Sequence, residues 1–278
     1  MTLGLFWWAE EPNFGDRISR DIVAHVAGQD VDWAPPAKAD LISTGSIMYA
    51  ARKAHKSGRK TQVTLWGTGA MKPLRTDFVP HTTIAALRGP ITRELLGVQT
   101  EVFGDPGLLL PWVLGAPIAK TDKIAVIPHW KQAEATAQAI KGLGDKIVMI
   151  DPRTTEHMAV VREIASCAGV FSSSLHGLIV ADAFGVPNVW LDPAANHEFA
   201  RLKFYDYGLG IGRAMPAPVG VEAIEGLLEN GLPPIDYAGG IARAQAGLAG
   251  AFPAQMKGKN APDFATWAAS AHTELAAE

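Results

Sequence analysis

The chain has 278 residues, 48% hydrophobic and 19% charged, with a formal net charge of −3. At roughly 150 residues per domain, that length allows about two domains with real apolar cores, which excludes disorder as the main state. The charge balance excludes a nucleic-acid wrapper or a polybasic membrane binder, and the single cysteine, Cys167, excludes a disulfide framework or a cysteine-based metal cage.

The opening MTLGLFWWAEEPN has no basic segment ahead of its apolar residues, so no secretory signal is expected. No apolar run approaches the roughly 20 residues of a membrane span. The expectation is a cytoplasmic protein without an integral membrane segment, with peripheral attachment at the inner face of the membrane left open. Leu3 to Trp8 reads as a first strand. NFGDRISRDIVAHVAG follows as a helix, with Ile18, Ile22, Val23 and Val26 on one face and Gly28 as its stop. Asp40–Gly45, Gln62–Gly69, Thr83–Leu87 and Glu101–Gly104 read as further strands, with helices over Ile47–His55 and Pro90–Leu96. A Pro/Gly-rich stretch, DPGLLLPWVLGAPIAKTD, breaks the rhythm near Ala116.

The alternation then restarts with the strands KIAVIPHW, KIVMI, GVFSSS and NVWL, separated by helices over Lys131–Lys141, Glu156–Cys167 and Leu175–Phe184. After Ala217 the composition turns to Ala, Gly and polar helix formers. This predicts an α/β protein with two Rossmann-like, doubly wound domains, 1–116 and 117–217, facing across a cleft. A helical tail, 218–278, is expected to pack back on the first domain. Ligands then belong at the carboxyl ends of the strands.

The short motifs fall at those strand ends. Asn13-Phe14-Gly15-Asp16 opens the first helix, either as an anion site at a helix amino end or as a simple N-cap with a turn glycine. Ser43-Thr44-Gly45-Ser46 and Gly67-Thr68-Gly69 repeat the small-residue theme, and neither fits the dinucleotide fingerprint or the P-loop. In Ala86-Leu87-Arg88-Gly89-Pro90 the arginine either aims a fork of donors into the cleft or pairs with a nearby acid. Asp105, in Gly104-Asp105-Pro106-Gly107, either holds a ligand hydroxyl or forms a turn.

Ser172-Ser173-Ser174-Leu175-His176-Gly177 is the strongest of these. Hydroxyls and helix N–H groups make an anion site there, with an imidazole beside it whose charged form the helix end disfavours. Without a GxSxG elbow, a Ser-His-Asp hydrolase is poorly supported. His129 occupies an equivalent strand end, and no metal-ligand spacing occurs. His197, Arg201, Lys203, Tyr205 and Asp206 form a polar cluster whose interleaved aromatics read either as a lip at the domain junction or as a solvated helix.

Taken in order, NFGD, DLISTGSI, LWGTGAM, ALRGPITRELL, FGDPGLLLP, SSSLHGLIVADAFGVPNVWL and KFYDYG resemble the polysaccharide pyruvyl transferase family, over roughly residues 1–210. The resemblance is to bacterial exopolysaccharide-type members. It implies two GT-B-like Rossmann domains and transfer of the pyruvyl group of phosphoenolpyruvate onto two hydroxyls of a sugar, giving a cyclic ketal and phosphate. It implies no required cofactor, and a saccharide acceptor that is free or lipid-linked. His176 and Arg88 would be the catalytic pair. Arg88, Ser172, Ser173, Ser174, Leu175, His176, Gly177, Asn13 and Gly15 would hold the donor, and Asp16, Asp105, His129 and Lys203 the acceptor. Relatives often carry arginine where this chain has Ser174, so Lys72, Arg75, Arg93, Arg201 or Lys203 would have to supply that cation. Two rival readings remain at this point. One is a nucleotide-sugar glycosyltransferase, which would need a ribose-gripping acid such as Asp182 or Asp192. The other is a catalytically silent saccharide-binding protein.

Overall fold

A computed structural model of the chain describes residues 2–193 and 198–275, with the backbone alone given for 271–275. The first half runs β1 (Leu3–Phe6), α1 (Phe14–Ala27), β2 (Val31–Trp33), β3 (Leu41–Ile42), α2 (Tyr49–Lys56), β4 (Val63–Trp66), β5 (Thr82–Ala86), α3 (Pro90–Leu96) and α4 (Leu110–Leu114). The second half runs β6 (Ile124–Ile127), α5 (Ala133–Ala139), β7 (Ile147–Met149), α6 (His157–Ser166), β8 (Gly169–Ser172), α7 (Leu175–Ala183), β9 (Asn188–Trp190) and α8 (Leu202–Ile211). Three helices close the chain: α9 (Ile224–Asn230), α10 (Ala238–Ala251) and α11 (Phe264–Leu275).

The strands form two separate, wholly parallel sheets, in the orders β2-β1-β3-β4-β5 and β7-β6-β8-β9. Each order reverses direction once, between β1 and β3 in the first sheet and between β6 and β8 in the second. In open α/β sheets such a reversal opens a crevice beyond the strand ends. α1 is set by its apolar stripe, which buries Ile18, Ile22, Val23 and Val26, and by its ends. The Asn13 side chain caps the start, and Gly28 closes it in the left-handed conformation at φ 60°.

One apolar cluster runs through both halves, joining Leu5, Phe14, Ile18 and Ile22 to Val161, Ile164, Val170 and Val180. Shared burial of this kind sets how the sheets sit against each other. His157 Nε2 and Asp21 Oδ2 add a polar link between α6 and α1.

Several boundaries differ from the sequence reading. Glu101–Gly104 forms only an isolated bridge from Phe103 to Leu87, because Gly104, at φ 141°, turns the chain away. The edge strand β2 was not anticipated, since Val31-Asp32-Trp33 alternates over only three residues, too short a run to signal a strand. The segment after Ala217 is not wholly helical, because Val219 makes a parallel bridge to Leu191 before the helices begin. α10 then reaches the first sheet, where Trp66 Nε1 donates to Leu248 O at 2.9 Å. Among the described residues, no helix is long and apolar enough to cross a membrane.

Candidate active site

Both reversal points open onto one cavity of about 570 Å³. The loops after β1 and β3 supply Trp8, Asn13, Gly45 and Ser46, and the opening turn of α1 supplies Asp16. The loops after β6, β7 and β8 supply His129, Trp130, Arg153 and Ser174, with Leu175 and His176 from the start of α7. Tyr49 and Lys203 complete the wall.

The amino end of α1 belongs to both halves. The Asn13 side chain accepts from Gly15 N at 2.9 Å, and Phe14 N donates to Pro152 O, beyond β7, at 3.0 Å. Gly15 is required for space: a Cβ there would lie 2.1 Å from His176 Nδ1. The imidazole therefore rests directly on the backbone of α1, beside Asp16.

Of the three serines expected to hold the donor, Ser172 and Ser173 lie under the cavity rather than in its wall. Ser172 Oγ accepts from Ser174 N at 3.0 Å and sits 3.0 Å from Ile127 O. Ser173 Oγ accepts from His129 N at 2.7 Å and donates to Gln132. Their buried hydroxyls fasten the turn between β8 and α7. Gly177 likewise makes room, since its Cβ would lie 2.3 Å from Ser172 Oγ. Ser174, the N-cap of α7, lends no side chain to the helix and does line the cavity.

The titratable groups at this place are strongly perturbed. Burial, then the charges of Lys203 and Arg88, push His176 down to about 3, so its imidazole is neutral. Its Nε2 is buried without a hydrogen-bond partner, 3.9 Å from Asp105 Oδ2. Burial lifts Asp16 to about 7, opposed by Lys203 and reinforced by Asp105. Burial and Arg88 bring Lys203 down to about 8, against the pull of Asp16. The sequence reading credited the helix end with disfavouring imidazolium, whereas desolvation is the chief cause here.

Two expectations change. Arg88 does not aim its fork into the cavity. It is fully buried, with Nε bound to Asp206 Oδ2 at 2.9 Å, Nη2 to Ala70 O at 2.7 Å, and Nη1 to Ser46 Oγ. Asp206 also accepts from the Thr92 amide and hydroxyl. Arg88 thus meets the cavity only through Ser46 and its field. Asp105 is not in the wall either. It is fully buried, accepts from Gly107 N at 2.9 Å and Gly45 N at 3.4 Å, and is lifted to about 6 by burial.

Among the cations considered for the place of Ser174, Lys203 lines the cavity. Arg93 pairs with Glu94 and Glu101, and Arg201 pairs with Asp192. Asp182, a candidate ribose acid, is enclosed by Arg213, Tyr207, Tyr237 and Asn188. His197 lies outside the described residues. No group of three or more His, Cys, Asp or Glu among the described residues is placed to hold a metal ion.

Sequence reasoning missed Tyr49, Trp8, Met71, Trp130 and Arg153 as wall residues, and Asp206 as the partner of Arg88. Trp8 and Trp130 could have been found as aromatics just beyond strands. Asp206 had a signal too, as a lone acid inside an aromatic stretch.

Residues 7–194 match the family described as polysaccharide pyruvyl transferase. The chain is 26% identical over 234 residues to the succinoglycan biosynthesis protein ExoV of Rhizobium meliloti (strain 1021), covering 79% of this chain and 69% of that one. It is 31% identical over 117 residues, 40% of each chain, to the uncharacterized protein L143 of Acanthamoeba polyphaga mimivirus. Among solved structures, the ADP-heptose LPS heptosyltransferase II of E. coli aligns over 89% of this chain and 98% of that one, at 12% identity and a TM-score of 0.35, a likeness too low to argue from. Because the matched span takes in the cavity's contributions from both sheets, Trp8 through His176, the chain belongs to the polysaccharide pyruvyl transferase family and is a transferase.

Proposed function

We propose that this protein moves the pyruvyl group of phosphoenolpyruvate onto two hydroxyls of one sugar in an exopolysaccharide or its precursor, forming a cyclic ketal and releasing phosphate. The observation that carries the reading is the convergence of Asp16, His176 and Lys203 where the amino ends of α1 and α7 meet. Family membership supports the pyruvyl group. The relative from Rhizobium meliloti, named for succinoglycan biosynthesis, supports an exopolysaccharide acceptor. In this reading the halves 1–116 and 117–217 each supply one wall.

The donor is a small anion carrying a carboxylate and a phosphate. Helix amino ends and a cation attract such a group, and here Lys203 supplies the cation with the buried Arg88 behind it. The donor's negative charge raises the proton affinity of all three titratable groups. His176, neutral beforehand, becomes the base for the attacking hydroxyl, and the charge of Asp105, 3.9 Å from Nε2, favours the imidazolium that forms. Asp16, near 7 and so about half protonated at neutral pH, delivers a proton to the donor's terminal vinyl carbon. The neighbouring carbon takes the first sugar oxygen. The second hydroxyl then gives its proton to Asp16, its oxygen displaces phosphate, and His176 returns its proton to the leaving group. One hydroxyl proton is thereby matched by the new methyl group and the other by phosphate, with no cofactor drawn into the balance.

The test is phosphate release from phosphoenolpyruvate across a panel of saccharide acceptors, with the ketal methyl read by NMR. Release that needs the acceptor, with one methyl formed per phosphate, is expected. No release with any acceptor, or phosphate without ketal, overturns the reading. Retained oligosaccharide binding in that case would assign the cavity to saccharide recognition without transfer.

A further inference from the structure

A second, shallower hollow of about 330 Å³ adjoins the cavity and shares Trp8 with it. Its walls are Phe6, Trp7, Trp8 and Trp33, with Glu10 at the edge. Trp33 stands on β2, the outermost strand of its sheet, and is 47% exposed, which is unusual for so large an apolar side chain. It is nevertheless held in place. Its Nε1 donates to Trp7 O at 3.1 Å, and its ring leans on Phe6 with centroids 6.4 Å apart. Trp8, between the two hollows, meets Tyr49 edge-on at 6.4 Å. The shelf is therefore ordered before any ligand arrives and continuous with the cavity.

We propose that this aromatic shelf is a second acceptor subsite, which holds a neutral hexose unit next to the sugar that enters the cavity. The inference rests on the acceptor being a saccharide, as proposed above. A pyranose has an apolar C–H face bounded by hydroxyls, which matches an indole face with a carboxylate at its border. None of the described residues lining the shelf is lysine or arginine, so its chemistry fits a neutral sugar rather than a phosphate or an acidic glycan. The hollow is also small for a stable protein partner, which needs on the order of 1,000 Å² or more. Ordered, exposed aromatics of this kind mark ligand grooves.

Trp33 lies outside the transfer machinery, so its loss should be read in acceptor length alone. Wild type and Trp33→Ala would be titrated calorimetrically with neutral glucose- and galactose-based saccharides of one to six units, without phosphoenolpyruvate. Phosphoenolpyruvate would be titrated separately. For chains of two or more units we expect about a tenfold loss of affinity, the scale of uncovering one half-buried aromatic face. Single sugars and phosphoenolpyruvate should bind both proteins alike. Equal affinity of the two proteins for every chain length overturns the subsite. If Trp33→Ala fails to fold, Trp7→Ala gives the same reading, because the Trp7 carbonyl that anchors Trp33 is retained. A length-dependent loss without any phosphoenolpyruvate binding would sink the transfer reading and leave the shelf standing. Sedimentation with phosphatidylethanolamine–phosphatidylglycerol vesicles that depends on Trp33, with saccharide binding unchanged, would overturn the subsite in favour of a lipid surface.

Discussion

Lys203 and Asp206 stand one turn apart on α8, yet they serve opposite kinds of site. Asp206 faces inward and is saturated: it accepts from the Arg88 guanidinium, the Thr92 amide and the Thr92 hydroxyl, all buried. Lys203 faces the cavity, where no such partner set surrounds it. There it shares an under-solvated space with Asp16 and His176, and all three have displaced proton affinities. A buried charge whose hydrogen bonds are complete fixes geometry, whereas one whose bonds are incomplete is available to a ligand or a proton. The arginine that looked most like a ligand grip in the sequence is of the first kind.

Removing a proton carrier from the open cluster should have the largest effect. Asp16→Asn and His176→Gln should each lower turnover by about 10²–10⁴-fold in folded protein, measured as acceptor-dependent phosphate release. The pH profile separates them. Because kcat/KM reports the free protein, and Asp16 must be protonated to act as the acid, wild-type kcat/KM should fall as pH rises above about 7. In Asp16→Asn only the limb near 8 that Lys203 sets should remain, and a limb that stays near 7 would move the acid's role to another group.

The saturated cluster should fail in stability instead. Asp206→Ala strands the Arg88 guanidinium and should cost about 3–5 kcal/mol in denaturant unfolding. A cost under about 1 kcal/mol would mean that Arg88 finds partners elsewhere, and would erase the contrast between the clusters. Next in size is Lys203→Gln, which removes a charge-assisted contact of about 1.5–3 kcal/mol and should weaken phosphoenolpyruvate binding roughly 10- to 150-fold in calorimetry. Unchanged donor affinity would take Lys203 out of the donor site.

The last effect is one of stability and has the most unusual sign. Asp16 holds its proton up to about 7 in the folded chain, against 3.8 for an ordinary carboxyl. Folding therefore loses stability as pH rises from about 4 to 7, and the penalty is complete above 7. Asp16→Asn should accordingly melt higher than wild type at pH 8 and alike at pH 4, while losing activity. A lower melting temperature at pH 8 would show that the pull of Lys203 outweighs burial.

The sequence was most legible where local chemistry decides structure. The first helix was placed from Asn13 to Gly28 by its cap, stripe and stop, and Pro90–Leu96 formed over the expected residues. The strand-end rule pointed to Asn13, Asp16, His129, Ser174, Leu175 and His176, which all line one cavity, and Lys203 joins them from the polar cluster that read equally as a lip or a solvated helix. What escaped were pairings between residues far apart in sequence. Arg88 reads as a free fork until Asp206 is folded against it, and Asp105 reads as a ligand until the amides of Gly45 and Gly107 enclose it. The serines misled for a related reason: a hydroxyl that caps a turn and one that grips an anion occupy the same strand-end position. Only burial tells them apart.

The imidazole resting on Gly15 has a consequence for how such a sequence can drift. On local grounds alanine is the better residue at 15, since it favours a helix by about 1 kcal/mol over glycine. The obstacle is remote, because the methyl group would occupy the volume that the ring of His176 already fills. The two positions are therefore locked in order: a side chain at 15 needs the imidazole gone first, and then a shift of α7 as well, because the Cβ of residue 176 would still lie 2.6 Å away. In descendants of this fold, a side chain at position 15 would be a fossil sign that the imidazole had fallen out of use.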